Sequence, residues 1–529
     1  MRDHVIAVDV GTASVRAAVF DSAGAMLARA SSPLRLKRPA PRRGEYSSED
    51  IWQATVEAVK AARAAADIAP ERIAGLAFGA TCSLVILDRD GRPLTLSADE
   101  TGPFDTIAWF DHRAAAEAAE LSGFDHEAVH HSGGSVSPEM QVPKLAWLKR
   151  NRPDLWERAG GIFDLADYLT FRATGSDRRS LTTLSAKWFY RGDHVLPWPL
   201  GLLEQADLTD LRDKAAIPDV ILVPGDAAGR LTAAAARDLG LDGAVVVAAG
   251  LIDAYAGALG ALPPPDLKTD GELALIGGTS SCIVGYESRP VFAPSLWGPY
   301  FSALYPARWL FEAGQSATGG LLNHLLEVHS AGGTATEEQH GRVIARIEEM
   351  LQKRGPGFAD GLDILPDFHG SRSPFADASM TGMVAGLTLD GSFDGLCRLY
   401  WRASVAIALS LRQILALLSE NGIAATRLHL AGGHRRNPLL TRLYADATGL
   451  PVMVSPTEDV VLLGSAIHAA TAAGLAPDLG EAARTMQTPP REIMPDPALS
   501  DYYAGQYRRL EILQACRQAL SEAYEQADP

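Results

Sequence analysis

The stretch VIAVDVGTASVRAAVFD, residues 5–21, has the pattern of a β-hairpin. Val5–Val8 and Val15–Phe20 predict two strands, because both runs are rich in β-branched and small apolar residues. Gly11-Thr12-Ala13-Ser14 has the composition of the turn between them. Asp9 ends the first strand, where burial penalises a charge. An aspartate that caps the turn is one explanation, and a functional carboxylate is the other.

The same pattern returns in the second half of the chain. ELALIGGTSSCIVGY, residues 272–286, places Gly278-Thr279-Ser280-Ser281 between two apolar runs, in line with the first turn. Ile276 stands at the position of Asp9, so a carboxylate is not needed to make the turn. The sequence therefore predicts an internal repeat with one hairpin in each half, and it weakens the explanation of Asp9 as a turn cap.

The chain is divided by a segment with the composition of a linker. At 529 residues it is too long for a single core. ALPPPDLKTDG, residues 261–271, combines three prolines with charged residues between apolar segments. Strand-like runs alternate with alanine-rich helical patterns on both sides, which predicts an α/β protein. We expect an N-terminal domain at residues 1–262 and a C-terminal domain at residues 271–529.

Composition excludes several classes of function. The chain is 47% hydrophobic, and its net charge of 48 − 64 = −16 argues against nucleic acid or an anionic membrane as a partner. No apolar run spans a bilayer without a charge or proline. The N-terminal MRDH leads straight into a strand, which leaves no room for a secretory signal. We expect a cytoplasmic protein whose scattered cysteines are small core residues: Cys82, Cys282, Cys397 and Cys516.

The two turns suggest a site for phosphate groups. A Gly-Thr-x-Ser turn offers successive backbone N–H groups and two hydroxyls, which suit phosphate oxygens. Two such turns across a cleft would hold a polyphosphate between two domains, and a carboxylate on one side only suits Mg²⁺ bound through waters. The chain has neither a Walker A loop nor a G-x-G-x-x-G motif that opens a helix after a strand.

Two further junctions fit a nucleotide-binding cleft. In VVVAAGLIDAYAGALG, residues 245–260, Asp253 is the one charge between a buried strand and a small-residue helix. It is either an N-cap or a general base. In RLHLAGGHRRNPLL, residues 427–440, a strand ends at Gly432-Gly433, where a flat ring can approach the backbone, and a helix capped near Asn437-Pro438 follows.

Taken in order, five motifs resemble the FGGY family of carbohydrate kinases, and the resemblance covers nearly the whole chain. They are the Asp9 hairpin, the Asp253 junction, the Thr279 hairpin, the Glu312 segment WLFEAGQSATGGLL and the Gly432-Gly433 turn. The resemblance implies two ribonuclease-H-like domains of the actin- and hexokinase-type ATPase superfamily. It also implies that ATP and a sugar bind in the cleft between these domains. A chaperone- or actin-like ATPase without a sugar substrate shares the fold and is the alternative from another class.

The same resemblance implies individual site residues. Asp9 corresponds to the Mg²⁺ residue and Asp253 to the catalytic base, which accepts the proton of the attacking hydroxyl. The implied ATP contacts are Gly11, Thr12, Ser14, Gly278, Thr279, Gly319, Gly432, Gly433 and Asn437. The implied sugar contacts are Thr81, Lys187, Asp253 and Glu312. A homodimer is left open.

Three segments resemble the ribulokinase-like branch of the family: LAFGATCSLVILD (76–88), LWGPYFSA (296–303) and LPDFHGSRSP (365–374). We expect D-ribulose as the acceptor, phosphorylated at its terminal hydroxyl. L-ribulose, xylulose, a pentitol and glycerol are the alternatives. The resemblance implies an acidic residue at the position of Gly79, so we expect the missing side chain to leave a roomier pocket and the sugar specificity open.

Several charged residues allow both a structural and a functional explanation. Lys187, in LSAKWFY, is either a surface lysine with a buried stem or a hydrogen-bond donor to the sugar. Asp111 and Arg113 follow Trp109 in a W-x-D-x-R element and are either a structural ion pair or part of the site.

Two other segments have structural explanations. HEAVH, residues 126–130, matches a zinc-peptidase motif, but we expect the helix that Asp125 starts to be too short for a zinc site. Residues 501–527 predict a closing helix that packs back on the body of the protein.

Overall fold

The computed structural model describes residues 2–100, 102–265 and 269–527, so part of the predicted linker, residues 266–268, lies outside the described residues. The described chain forms a two-domain α/β fold, as the sequence predicts.

The first half of the chain alternates strands with helices of mostly modest length. The strands are β1 His4–Val10, β2 Ser14–Asp21, β3 Met26–Pro33, β4 Glu45–Tyr46, β5 Ile73–Ala80, β6 Leu84–Asp88, β7 Ser97–Asp99, β8 Gly102–Phe104, β9 Thr106–Ile107, β10 Ala159–Asp164, β11 Arg179–Ser180, β12 Ile221–Leu222, β13 Ala227–Arg230, β14 Val246–Ala248 and β15 Leu251–Ile252. The helices are α1 Ser48–Ala66, α2 Ala115–Ser122, α3 Glu127–His130, α4 Gln141–Asn151, α5 Pro153–Arg158, α6 Leu165–Thr174, α7 Leu181–Lys187, α8 Leu200–Gln205, α9 Leu211–Lys214, α10 Ala233–Leu239 and α11 Asp253–Ala261.

The second half contains the remaining elements. The strands are β16 Glu272–Gly277, β17 Ser281–Glu287, β18 Trp297–Phe301, β19 Trp309–Gln315, β20 Asp363–Leu365, β21 Met383–Ala385, β22 Arg427–Gly432, β23 Val452–Val454 and β24 Arg491–Ile493. The helices are α12 Gly319–Val328, α13 Glu337–Arg354, α14 Phe393–Glu420, α15 Pro438–Thr448, α16 Val460–Ala472, α17 Leu479–Met486 and α18 Ser500–Ala527.

The two predicted hairpins form the centres of two seven-stranded sheets. In the first sheet, β1 pairs antiparallel with β2 and parallel with β5, in the order β13-β14-β5-β1-β2-β3, and β15 pairs with β5 as the seventh strand. In the second sheet, β16 pairs antiparallel with β17 and parallel with β22, in the order β18-β19-β17-β16-β22-β23-β24. The arrangement around each hairpin is the same, so the structure reproduces the predicted repeat.

Helices cover the first sheet on both faces, which explains why every residue of β1 is buried. The helix α1 contacts β2 and β3, and α16 contacts β1 and β5. The helices α11 and α16 also contact each other and reach strands of both sheets. Glycines permit this close approach, since a Cβ on Gly260 would lie 2.0 Å from the Val460 carbonyl oxygen and one on Gly464 1.8 Å from that of Ala256. A side chain at either glycine would therefore push the two helices apart.

The closing helix is confirmed: α18 packs against α14, α15 and β20. The helix α14 is the one helix of the described chain that is long and apolar enough to cross a bilayer. Most of its residues are buried, and it contacts α12, α13 and α15. Its apolar character is accounted for by this packing in the core of the second domain.

The HEAVH segment does not form the sustained helix on which a zinc-peptidase motif depends. The helix α3 has four residues and begins after His126, whose ring accepts the Ala128 N–H, so the prediction that Asp125 starts it is wrong by a residue. Among the described residues, no group of three or more His, Cys, Asp or Glu side chains could hold a metal ion.

Candidate active site in the interdomain cleft

A cavity of about 360 Å³ lies between the two domains and gathers most of the predicted site residues. Its wall includes the predicted residues Asp9, Thr12, Thr81, Lys187, Asp253, Gly278, Thr279, Glu312, Gly432 and Gly433. Four others, Gly11, Ser14, Gly319 and Asn437, are not part of this wall. Gly11 closes the first turn by donating to the Ser14 carbonyl oxygen at 3.1 Å, and Gly319 donates to the Gly278 carbonyl oxygen at 3.0 Å. Asn437 caps α15, because its side-chain oxygen accepts the N–H groups of Leu439 and Leu440.

Asp9 is a buried carboxylate with one unused oxygen. It lies opposite Arg16 in the β1–β2 pair, and the Arg16 guanidinium donates to its Oδ2. Among the described residues, Asp9 Oδ1 has no hydrogen-bond partner, and no N–H of the turn donates to either oxygen. The turn-cap explanation of Asp9 is therefore not supported. Burial raises the pKa of Asp9, and the Arg16 charge opposes this effect.

Asp253 is the first residue of α11, directly after the capping residue Ile252, so it is not the N-cap itself. Its Oδ1 accepts the N–H of Ala254 at 2.7 Å, and the residue borders the cavity. Burial raises the pKa of Asp253 to about 7, with a further contribution from the negative charges of Asp9 and Glu312. A cleft carboxylate that titrates near neutrality has the property that a general base requires.

Lys187 and Glu312 bring one donor and one acceptor to the cavity from opposite domains. Lys187 ends α7, and its ammonium has no hydrogen bond to any described residue. Burial disfavours its charge, but Cys82 and Glu312 raise its pKa above the usual value. Glu312 lies in β19 and accepts hydrogen bonds from the Tyr255 hydroxyl at 3.1 Å and the Cys282 thiol at 2.8 Å. Lys187 therefore faces the cavity and is not a lysine of the outer surface.

The W-x-D-x-R element divides into a structural part and a cavity part. Asp111 is fully buried, and Arg113 donates to it and to Glu45, each at 2.8 Å. This is the ion pair that the sequence left open. Trp109 instead borders the cavity, and its indole N–H donates to the Thr12 hydroxyl at 3.0 Å. Trp109 thereby orients the Thr12 side chain in the first of the two predicted phosphate-binding turns.

An ion pair between the domains was missed by the sequence analysis. Arg372 Nη2 donates to Glu139 Oε2 at 2.9 Å, and both residues line the cavity. The Arg372 guanidinium also lies 5.4 Å from the Trp109 ring and 5.9 Å from the Trp297 ring. In the sequence, Arg372 stands out only as a member of LPDFHGSRSP, residues 365–374. This segment resembles the ribulokinase-like branch of the family and does not by itself indicate an ion pair.

The prediction of four core cysteines is confirmed for Cys82 and Cys397, which are buried, and wrong for Cys282 and Cys516, which are not. Cys397 is fully buried in the core of the second domain, as expected. Cys82 and Cys282, however, border the cavity, and Cys516 is exposed on α18. Scattered spacing excludes a disulfide framework but does not tell a core cysteine from one beside a cleft.

Gly79 does not shape the cavity, contrary to the expectation of a roomier pocket. It pairs with Asp9 across β1 and β5 and is not part of the cavity wall. A Cβ at this position would lie 2.9 Å from Ser465 Oγ and 3.6 Å from Ala256 Cβ, in the packing between the sheet and α11 and α16. The missing side chain makes room for a helix and not for a sugar.

His434 connects the two glycine turns of the second domain. Its ring accepts from the Tyr444 hydroxyl at Nδ1, 2.9 Å away, and donates from Nε2 to the Gly278 carbonyl oxygen, also at 2.9 Å. This tautomer follows because the carbonyl can only accept. Burial lowers the pKa of His434 to about 4, so the ring is neutral at physiological pH.

We expect His434→Phe to lower the free energy of unfolding by about 1–3 kcal/mol, because a buried tyrosine hydroxyl loses its acceptor. The KM for ATP should rise more than the KM for the sugar, since Gly278 belongs to the predicted phosphate turn. Urea unfolding and steady-state kinetics measure both effects. A change in the sugar KM alone would contradict this role.

Comparisons with known proteins bear on this cleft. The model of the FGGY family of carbohydrate kinases, N-terminal domain, matches residues 4–260, and that of its C-terminal domain matches residues 273–473. An FGGY carbohydrate kinase domain-containing protein of Xenopus laevis is 40% identical over 525 residues, covering 95% of each chain. A D-ribulokinase of Saccharomyces cerevisiae is 33% identical over 514 residues, covering 88% of this chain and 71% of the relative.

A solved structure shows the same architecture. The crystal structure of xylulose kinase from Rhodospirillum rubrum superposes with a TM-score of 0.78 at 26% identity, covering 98% of this chain and 99% of that one. Family models that match both halves, together with relatives named as kinases, exclude the alternative of an ATPase without a sugar substrate. The chain belongs to the FGGY family of carbohydrate kinases and is an ATP-dependent sugar phosphotransferase.

Proposed function

We propose that the enzyme transfers phosphate from ATP to the terminal hydroxyl of a ketopentose, with D-ribulose as the preferred acceptor. The observation that carries this proposal is the Lys187 ammonium, which faces the cavity with no hydrogen bond to a described residue and has Glu312 nearby. Lys187 is half-buried and its ammonium lies in the cavity without a protein acceptor, so it is available to a ligand oxygen. The yeast relative named D-ribulokinase supports the choice of sugar.

Within this proposal, the nucleotide and the metal ion bind to those residues of the cleft whose polar groups suit them. Thr12, Gly278 and Thr279 contact phosphate groups, and Gly432 and Gly433 contact the adenosine. The unpaired, buried Asp9 Oδ1 fits Mg²⁺ or one of its waters, because Mg²⁺ prefers carboxylate oxygens. The bound ion would offset negative charge on the phosphates.

The supporting residues have roles outside the cavity wall. Gly11 and Ser14 shape the first turn, Gly319 supports the second, and Asn437 fixes the start of α15 beside the adenosine site. Residues 1–262 then supply the Mg²⁺ and base residues and Thr81, Lys187 and Asp253 for the sugar. Residues 271–529 supply the adenosine site and Glu312. We also propose that the enzyme is located in the cytoplasm.

Catalysis in this arrangement depends on positioning and on one proton transfer. Asp253 Oδ1 is occupied by the Ala254 N–H, so its other oxygen accepts the proton of the attacking hydroxyl. Lys187 and Glu312 orient the sugar so that the terminal hydroxyl lies beside Asp253. Phosphoryl transfer needs little covalent help from the protein, so these few groups suffice.

A panel of acceptors tests the choice of sugar. We expect D-ribulose to give the highest kcat/KM in a coupled ADP assay, above D-xylulose, L-ribulose and ribitol. Glycerol should be worse by about 100-fold or more, because it is too short to pair with Lys187 and Glu312 together. ADP release without any sugar measures the background. If xylulose or glycerol exceeds D-ribulose, the choice of acceptor is wrong while the kinase activity stands.

A further inference from the structure

A second and larger cavity, of about 880 Å³, adjoins the acceptor cavity. The two spaces share part of their wall, which includes Thr12, Thr279 and Ser280 of the two turns as well as Trp109, Trp297 and Arg372, and we call these last three residues the partition. Beyond this partition the wall comes from both domains: the loop of residues 38–43 and α2 on one side, and α12 with residues 368–378 on the other. We call this second cavity the basic chamber.

The chamber has a charge opposite to that of the protein. The chain as a whole has 64 acidic and 48 basic residues. The chamber wall, in contrast, has one carboxylate, Glu139, and five arginines: Arg38, Arg42, Arg43, Arg113 and Arg372. A concave wall with one sign of charge concentrates the potential and attracts small ions of the opposite sign.

Two of these arginines are neutralised by the protein and three are not. Arg372 pairs with Glu139, and Arg113 pairs with Asp111 and Glu45. Within the described ranges, Arg38, Arg42 and Arg43 form no ion pair with a carboxylate. These three come from a single short loop, so their charges act on the same part of the chamber.

Aromatic rings orient two of the unpaired guanidinium groups. Arg38 lies 5.0 Å from the Phe110 ring and Arg43 lies 5.9 Å from the Trp147 ring. The third, Arg42, is close enough to His369 on the opposite wall to lower that histidine's pKa, after the larger effect of burial. Stacked guanidinium groups keep their planar donors free for two parallel hydrogen bonds to a phosphate.

Arg38, Arg42 and Arg43 line the chamber and not the acceptor cavity, although Thr12 and Thr279, which we place at the ATP phosphates, line both spaces. A ketopentose is neutral and fits the smaller cavity, where Lys187 and Glu312 lie. Gly432 and Gly433, where we place the adenosine, line that smaller cavity but are not part of the chamber wall.

We propose that the basic chamber binds the phosphate group of a small sugar phosphate, separately from the phosphate that is transferred. Arg38 and Arg42 provide the principal donors, and Arg43 adds positive charge. The sugar part lies toward the serine and histidine side chains of the wall, including Ser122, Ser135 and His324. A sugar phosphate bound there, next to the partition, is placed to influence access to the acceptor cavity.

Calorimetric titration of the full chain with D-ribose 5-phosphate tests this site. The titration is made with saturating non-hydrolysable ATP analogue and Mg²⁺, so that the nucleotide site is filled. We expect D-ribose 5-phosphate to bind and D-ribose not to bind. The Arg38→Gln/Arg42→Gln variant should weaken binding by about tenfold or more, because two charge-assisted contacts are lost.

The control variant is Arg178→Gln/Arg491→Gln, which removes the same charge from residues that are exposed, as Arg38 and Arg42 are, but lie outside the chamber. It should change the affinity by less than about twofold, since exposed distant charges are screened by salt. Equal weakening in both variants, or no binding to the wild type, overturns the proposal. Binding that disappears when the ATP analogue is added also overturns it, because the arginines would then serve the nucleotide. The titration needs no turnover, so its outcome is independent of the choice of acceptor.

Discussion

Asp253→Asn should lower kcat by about 100-fold or more, because the variant keeps the shape of the side chain but cannot accept a proton. Asp253 borders the cavity with one oxygen held by the Ala254 N–H, and an asparagine oxygen can take over that contact. The geometry at the start of α11 should therefore survive. Steady-state kinetics with D-ribulose and a separate measurement of ATP affinity give the two readouts.

The same group predicts the pH dependence of the wild type. Burial, with Asp9 and Glu312 nearby, raises the pKa of Asp253 to about 7, and only the deprotonated form is a base. In the free enzyme, kcat/KM should therefore rise with pH through about 7 and fall by about tenfold for each unit below it. This acidic limb should be absent from the residual activity of Asp253→Asn. Near-normal turnover of Asp253→Asn, or an unchanged fall in its kcat/KM below pH 7, would show that another group is the base.

Features that depend on neighbouring residues could be predicted from the sequence. The two hairpins follow from apolar runs on each side of a glycine turn, and both pair as expected. Their repetition around a proline-rich segment then predicts two domains. Lys187 stands out because an ammonium among apolar and aromatic residues is costly without a purpose. In each case the deciding information lies within a short stretch of the chain.

Features that depend on distant residues could not be predicted. Glu139 and Arg372 are 233 positions apart, and nothing in either segment indicates the other. The atoms that a side chain at Gly79 would contact belong partly to α16, which comes from the other half of the chain. Cys82 and Cys282 share a cavity only because the two domains face each other. The sequence thus supplies candidates for the site, and the packing of the domains selects among them.

Two lysines of the first domain, one buried and one half-buried beside the cavity, allow a matched test of the sugar site. Lys144 is fully buried and donates to three carbonyl oxygens, those of Ala108, Trp109 and Glu139, at 3.0–3.3 Å. Burial lowers its pKa to about 8. Lys187 donates to no described residue and faces the cavity. The two side chains are chemically identical, but one is satisfied by the protein and the other is available to a ligand.

Lys187→Met should raise the KM for the sugar by about 10- to 100-fold, because a hydrogen bond from a charged donor contributes about 1.5–3 kcal/mol. The affinity for ATP should change little, since the phosphate and adenosine contacts lie elsewhere in the cleft. Its thermal unfolding midpoint should stay close to that of the wild type, because no protein hydrogen bond is lost.

Lys144→Met should show the opposite pattern. Three carbonyl oxygens lose their donor, so the free energy of unfolding should fall by about 2–4 kcal/mol. A thermal melt of each variant beside the kinetics separates the two effects. If Lys187→Met loses stability as Lys144→Met does and keeps its sugar KM, then Lys187 is a structural residue and the acceptor contact lies elsewhere. If the two patterns differ as expected, the charge at Lys187 is retained for a ligand, because the fold itself makes no use of it.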